Sequence, residues 1–158
     1  MRVGIGEDLH RLEEGRRLVL GGVTIEGDVG LAGHSDADVL LHAIADAVLG
    51  AAGLGDLGAH FPSSDERWAG ADSGLFLTGA LRIAGESGWA LANVDAKVRA
   101  ERPRLAGHLA GMRERIAELA GVSAEQVNVK AKSGEGLDAI GRGEAIGATA
   151  VVLLEAAP

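Results

Sequence analysis

The sequence predicts a single α/β (α+β) domain built around one mixed sheet. Three observations carry this reading. Segments of strand periodicity and of helix periodicity intermix along 158 residues, with no repeat and no linker. Hydrophobic residues make up 47% of the chain, enough for a full core, but aromatics only 3%, so that core is Ala, Val, Leu and Ile. The 25 glycines fall mostly in short clusters between periodic segments, where they mark turns and close backbone approaches.

The elements follow in order. Residues 2–10 alternate: Val3, Ile5 and Leu9 point one way, and Gly4, Gly6, Asp8 and His10 the other. Leu18-Val19-Leu20, Gly21-Gly22 and Val23-Thr24-Ile25 read as a hairpin with a glycine turn. Ser35 is the expected N-cap of a helix reaching about Leu49, with a stop at Gly50 or Gly53; Asp36 and Asp38 suit its positive end. Residues 53–73 are rich in Gly, Pro, Ser and Asp and read as a long loop, a length usually kept for function. A helix over 74–87 stops at Gly88. Val94, Ala96, Val98 and Ala100 alternate with Asp95, Lys97 and Arg99 as a strand. Leu105, Leu109, Met112, Ile116 and Leu119 recur every three or four residues, an amphipathic helix stopped by Gly121. Ser123-Ala-Glu-Gln126 is a cap or turn. Val127, Val129 and Ala131 form another strand, and 145–155 a last apolar one. The count is four sheet strands plus the hairpin.

Charge and composition exclude several classes. A net charge of −8 is the wrong sign for a nucleic-acid footprint. No apolar run reaches the ~20 residues of a membrane-spanning helix, and Asp8 and His10 interrupt any signal-peptide stretch. The chain has no cysteine, which rules out a Cys-rich zinc site and is compatible with the cytoplasm, its expected compartment.

Chemistry concentrates in a few places. Asp8 and His10 share a strand face, and His42 lies in the run His34-Ser-Asp-Ala-Asp-Val-Leu-Leu-His42-Ala. Three N/O ligands with an open position make a catalytic zinc site. Asp38, His42 and Asp46 share a helix face, so His42 could bind metal through one nitrogen and give the other N–H to a carboxylate. Spacing equally allows a surface Asp–His pair and a satisfied core histidine. His34 and Ser35 precede a helix, where free N–H groups favour a phosphate, although a plain cap explains them too. Lys130-Ala131-Lys132-Ser133-Gly134-Glu135-Gly136 lacks Walker spacing; it reads as a polar turn or as a phosphate loop in which Glu135 holds a hard cation. Gly55-Asp56-Leu57-Gly58-Ala-His60-Phe61-Pro62 reads as a turn, or as a polyol grip through Asp56.

Together these motifs resemble the 2-C-methyl-D-erythritol 2,4-cyclodiphosphate synthase family. The matching pieces, in family order, are the opening Gly-x-Gly-x-Asp-x-His, Gly21-Gly22-Val, His34-Ser-Asp-Ala-Asp with His42-Ala, and Leu49-Gly-Ala-Ala-Gly-Leu-Gly-Asp-Leu-Gly58. They continue with Phe61-Pro62, Gly70-Ala-Asp-Ser73, Asn93-Val-Asp95, Asn128-Val-Lys-Ala131 and Gly141-Arg-Gly-Glu144. The resemblance implies a cytidylyl substrate, 4-diphosphocytidyl-2-C-methyl-D-erythritol 2-phosphate. Its 2-phosphate attacks the β-phosphate, closes a cyclic diphosphate and expels CMP in non-mevalonate isoprenoid biosynthesis.

It further implies Zn²⁺ on Asp8, His10 and His42, polarising the attacked phosphate, and Mg²⁺ or Mn²⁺ held by Glu135. His34 and Ser133 would stabilise the transition state. Substrate contacts would come from Asp8, His10, His34, Ser35, Asp56, Leu57, Gly58, Phe61 and Asp65 on the phosphate and polyol side. Ala100, Pro103, Arg104, Leu105, Ala106, Ala131, Lys132 and Ser133 would serve the cytidine side. Family members often bind an isoprenoid diphosphate in a central channel, where Arg142, oriented by Glu144, would keep the anion contact; with Glu7 and Ala139 in place of the aromatic lining, weak or absent binding is expected here. Family members are homotrimers with active sites between subunits and helices packed on one side of the sheet. The chain departs from the family where Lys132-Ser133 replaces a usual Thr-Thr, Ser63 a usual Asp, and Glu7 and Ala139 frequent Phe. Two other functions remain open to such residues: a zinc-dependent phosphohydrolase using water, and a trimeric binding protein for nucleotide or isoprenoid phosphates.

Overall fold

The computed structural model describes residues 1–157. Its strands are β1 (Arg2–Glu14), β2 (Leu18–Leu20), β3 (Val23–Ile25), β4 (Val29–Leu31), β5 (Trp89–Arg99), β6 (Val127–Lys132) and β7 (Ala145–Ala156). Its helices are α1 (Val39–Ala52), α2 (Leu57–His60), α3 (Gly74–Glu86), α4 (Leu109–Ala120) and α5 (Asp138–Gly141). Single 3-10 turns stand at Glu66–Trp68, Ala106–His108 and Ala124–Gln126.

The mixed sheet runs β4-β1-β7-β5-β6, antiparallel except for the parallel β5–β6 pair, which α4 connects. It has five strands, not four. Val29–Leu31 adds an edge strand along the far end of β1, pairing Leu12 with Leu31 and Glu14 with Val29. Three residues are too few for alternation to register. The separate β2–β3 hairpin turns on Gly21 (φ +60°) and Gly22 (φ +73°), the two left-handed positions of a type I′ turn.

Three further expectations are corrected. Asp38, not Ser35, caps α1: its carboxylate accepts from Leu40 and Leu41 N–H. The 53–73 stretch is not all loop, because Asp56 caps α2 and Asp65 caps the turn at Glu66–Trp68. The helix expected from Leu105 begins at Leu109 after a 3-10 turn. The stops at Gly53 (φ +75°) and Gly121 (φ +67°) stand as read, each a left-handed C-cap.

The three long helices cover one face of the sheet, whose inward row includes Ile146, Ala148, Ala150, Val152 and Leu154 of β7 and Val94, Ala96 and Val98 of β5. The short α5 is the exception, with Ile140 against Gly147 and Leu9. On β1 the inward row begins with Gly4 and Gly6, and α1 turns Ala43, Ala47 and Ala51 toward it. A Cβ on Gly4 would lie 2.0 Å from the Ala47 oxygen, and one on Gly6 2.1 Å from the Ala43 oxygen. Helix and strand backbones are therefore almost in contact. The outward row of β1 carries Val3, Ile5 and Leu9, each at least 60% exposed, beside Val151 of β7.

Candidate functional site

The close β1–α1 approach brings His42 down onto the strand. Asp8 and His10 continue the inward row two and four residues beyond Gly6. His42 follows Leu41 on the buried flank of α1, next to the Ala43 whose oxygen faces Gly6. The three side chains converge. Asp8 Oδ2 lies 3.0 Å from His10 Nε2 and 2.8 Å from His42 Nδ1. One donor atom from each falls within 4.8 Å of the others, the one such metal-capable group of three or more among the described residues.

Both rings are held from behind. His10 Nδ1 stands 2.5 Å from the Ala32 carbonyl, which can only accept, so Nδ1 keeps a proton and Nε2, which faces Asp8, is the nitrogen that would give up its proton and offer its lone pair to a metal. His42 Nε2 lies 2.8 Å from Ser73 Oγ and 3.3 Å from Ser35 Oγ, and its Nδ1 faces Asp8. Two imidazole lone pairs and a carboxylate directed at one point suit Zn²⁺. Burial raises the Asp8 pKa, but hydrogen bonds and charge from His10 and His42 outweigh it and hold the carboxyl well below the usual range. The Asp8 hydrogen bond raises the pKa of His10 against the opposing effect of burial.

The second nitrogen of His42 does not go to Asp38 or Asp46, as the helix spacing suggested. Asp38 is fully buried and accepts from Gly21, Gly22, Leu40 and Leu41 N–H, clamping the hairpin to α1. Burial pushes its pKa up to about 6, against the hydrogen bonds from Gly22, Leu41 and Gly21. Asp46 accepts from Leu57 N–H and seats α2 instead.

The seat of α2 joins the polyol candidates to the Asp8–His42 pair. Asp8 and His42 share a cleft of about 410 Å³ with Glu7, Asp46, Asp56, Leu57 and Gly58. His34 and Ser35 open on a neighbouring cleft of about 390 Å³ with Gly33, Asp36 and Gly70. The His34 ring nitrogen Nε2 lies 3.2 Å from the Asp65 carbonyl, tying the two segments together. The Asp65 carboxylate is paired with Arg67, 2.8 Å from Nε, and this hydrogen bond lowers its pKa. Phe61 packs with Trp68 and Phe76, and Phe76 lies 5.6 Å from the His42 ring.

The remaining candidates gather elsewhere. Parallel pairing sets Arg99 beside Lys132, and Ala100 N–H donates to the Lys132 carbonyl, so the segments after β5 and β6 emerge together. Ala100 and Leu105 are buried, Pro103 and Ala131 half-buried, and Arg104, Ala106, Lys132, Ser133 and Glu135 exposed. Ser133 O–H donates to Glu135 at 2.8 Å. Arg142 Nε donates to Glu144 at 2.8 Å, as expected of an oriented guanidinium. The cleft at Pro103 (about 500 Å³) and the one joining Asp8 to Asp56 share no lining residue, while a further cleft of about 460 Å³ is lined by both Asp8 and Arg99.

Ser73 and Asp36 were missed as parts of the site. Ser73 closes the 53–73 stretch that reads as a loop, and Asp36 reads as a favourable charge near a helix start. Neither pattern reveals that Ser73 turns its hydroxyl away from its own helix toward His42.

Comparison with known proteins identifies the family. Residues 1–155 match the model of the YgbB family. The 2-C-methyl-D-erythritol 2,4-cyclodiphosphate synthase of Moorella thermoacetica is 59% identical over 98% of this chain and 94% of its own. The bifunctional IspDF of Campylobacter jejuni superposes with a TM-score of 0.95 at 39% identity, over 98% of this chain and 42% of that longer one. A CDP-bound 2C-methyl-D-erythritol-2,4-cyclodiphosphate synthase superposes with a TM-score of 0.90 at 40% identity, over 98% of this chain and all of that one. No helix among the described residues is long and apolar enough to cross a membrane. The chain belongs to the YgbB family of 2-C-methyl-D-erythritol 2,4-cyclodiphosphate synthases, lyases of isoprenoid biosynthesis.

Proposed function

We propose that the chain converts 4-diphosphocytidyl-2-C-methyl-D-erythritol 2-phosphate to 2-C-methyl-D-erythritol 2,4-cyclodiphosphate and CMP. A 2-phosphate oxygen attacks the β-phosphorus. The bond from that phosphorus to the oxygen bridging toward the α-phosphorus breaks, and CMP leaves with the electron pair. The observation that carries this reading is the convergence of Asp8, His10 and His42, two of which, Asp8 and His42, line one cleft with Asp56, Leu57 and Gly58. Positioning and charge neutralisation are the task, because the substrate supplies its own nucleophile.

Asp8, His10 and His42 would hold Zn²⁺, which supplies Lewis-acid polarisation of a phosphate oxygen. Asp56 spends one oxygen on the Ala59 N–H and has the other for a polyol hydroxyl. His34 and Ser133 would donate to phosphate oxygens, and Glu135 would hold Mg²⁺ or Mn²⁺. Backbone groups of the segment from Ala100 through Pro103 to Ala106 would take the cytosine ring; the CDP carried by a solved relative supports this cytidylyl reading.

The substrate must reach both groups of residues. A second copy in the assembly would bring them together. The exposed Val3, Ile5, Leu9 and Val151 face supports burial of this side of the sheet in a homotrimer. A cytoplasmic location fits a metabolic enzyme of this kind.

Phosphorus NMR of the products tests the reaction. Cyclic diphosphate with CMP is expected. CMP with a linear phosphate would instead identify the phosphohydrolase, and unchanged substrate a binding protein. Sedimentation tests the assembly, for which an active monomer would be contrary.

A further inference from the structure

We propose that Ser73 and Asp36 are positioning residues that hold His42 in the tautomer and rotamer in which Nδ1 can bind a metal. The proposal rests on the reading of Asp8, His10 and His42 as the metal site.

Ser73 stands at the N-terminal boundary of α3 and is completely buried. A serine there ordinarily accepts from its own helix's free N–H groups, yet this one makes no cap hydrogen bond. Its hydroxyl lies 2.8 Å from His42 Nε2 and donates to Asp36 Oδ1. The direction of both bonds is fixed. Asp36 has only acceptors, so the Ser73 hydrogen points to it, and the oxygen is left to accept from His42 Nε2–H. The proton held on Nε2 makes Nδ1, aimed at the point where Asp8 and His10 converge, the nitrogen whose lone pair a metal there would take.

Asp36 is itself anchored. Its Oδ2 accepts from the Ser73 backbone N–H at 3.1 Å and its Oδ1 from the Asp38 N–H at 3.2 Å. Asp36 N–H donates to the Ala71 carbonyl at 3.0 Å. The carboxylate therefore grips Ser73 by main chain and side chain together, with α3 on one side and the start of α1 on the other. Ser35 Oγ, 3.3 Å from His42 Nε2, already accepts from the Ala37 N–H and is the weaker neighbour. The two histidines are thus seated differently: His10 on the Ala32 carbonyl, and His42 on a side-chain relay that a point mutation can remove. Outer partners of this kind typically change metal affinity by about 10–100-fold when lost.

The experiment is a Zn²⁺ titration of metal-free protein against a chromophoric chelator, paired with the visible spectrum of the Co²⁺-loaded protein. It compares wild type with Ser73→Ala, Ser73→Thr and Asp36→Asn, each first checked for fold by circular dichroism. Ser73→Ala is expected to weaken Zn²⁺ binding about 10–100-fold and to alter the Co²⁺ bands. Ser73→Thr, which restores the hydroxyl, is expected to recover most of both. Asp36→Asn, which loses the charge behind the relay, is expected to fall between wild type and Ser73→Ala. A folded Ser73→Ala that binds Zn²⁺ like wild type, with unchanged Co²⁺ bands, overturns the proposal while the metal site stands. Should Ser73→Ala fail to fold, wild-type affinity in Asp36→Asn overturns it instead. A folded wild type that binds no Zn²⁺ overturns the metal-site reading and this proposal with it.

Discussion

Replacing Gly6 by alanine tests whether glycine on β1 sets the distance between strand and helix. The added Cβ would lie 2.1 Å from the Ala43 carbonyl oxygen and 2.7 Å from the Ala47 nitrogen, where ordinary contact begins at 3.4 Å. The difference, 3.4 − 2.1 = 1.3 Å, is what α1 must give up, because both obstructing atoms are backbone. Overpacking of this kind costs about 1–3 kcal/mol, and the buried flank of α1 leaves little room to relax, which favours the upper end. The same retreat carries His42 away from Asp8 and His10. Metal–ligand distances tolerate only about 0.2 Å, so affinity falls as well as stability. Urea unfolding and chelator-competed Zn²⁺ titration of the variant measure the two effects. Gly85→Ala is the control: it lies in α3 with nothing within 4 Å of its Cβ and should gain about 0.5–1 kcal/mol. A Gly6→Ala protein with wild-type midpoint and wild-type Zn²⁺ affinity would refute the reasoning.

Asp38→Asn places an amide N–H₂ against a backbone N–H that now meets a carboxylate oxygen; a loss of about 1–3 kcal/mol is expected by denaturant titration. In metal-free protein the Asp8–His10 pair raises the folded pKa of His10 above its unfolded value near 6.5. Its contribution is therefore fully present below that value and is lost as pH rises through the folded pKa, so melting of apo protein across this window should show a decline. The decline should be absent in His10→Gln. Glu135→Gln removes a charged oxygen and should raise the Mg²⁺ or Mn²⁺ concentration for half-maximal rate; an unchanged metal titration would leave Glu135 as a loop residue.

The amino-acid pattern made the strands, the long helices and the shared face of Asp8 and His10 legible because each rests on a short-range rule. Alternation puts Asp8 and His10 on one face, and left-handed glycines stop α1 and α4. The alternation of β1 did not disclose which side was buried. The glycine side faces the helix, and the apolar side is exposed on the single chain. That inversion follows from the alanine row of α1, a tertiary fact. Asp38 took the cap from Ser35 because its carboxylate also reaches the hairpin N–H groups at Gly21 and Gly22, 17 and 16 residues away. The His42–Ser73 contact spans 31 residues between different helices, and no local pattern records it. The edge strand β4 is defined by its partner rather than by its own three residues.

The most direct test of the account is turnover of the cytidylyl substrate by enzyme stripped of Zn²⁺ and then titrated with it. CMP release should vanish on stripping and return in proportion to bound Zn²⁺. In His42→Ala, which leaves two ligands on β1, it should stay low at the same Zn²⁺ concentrations. Full turnover by folded protein with no bound metal, or by His42→Ala without Zn²⁺, would contradict the role assigned to Asp8, His10 and His42.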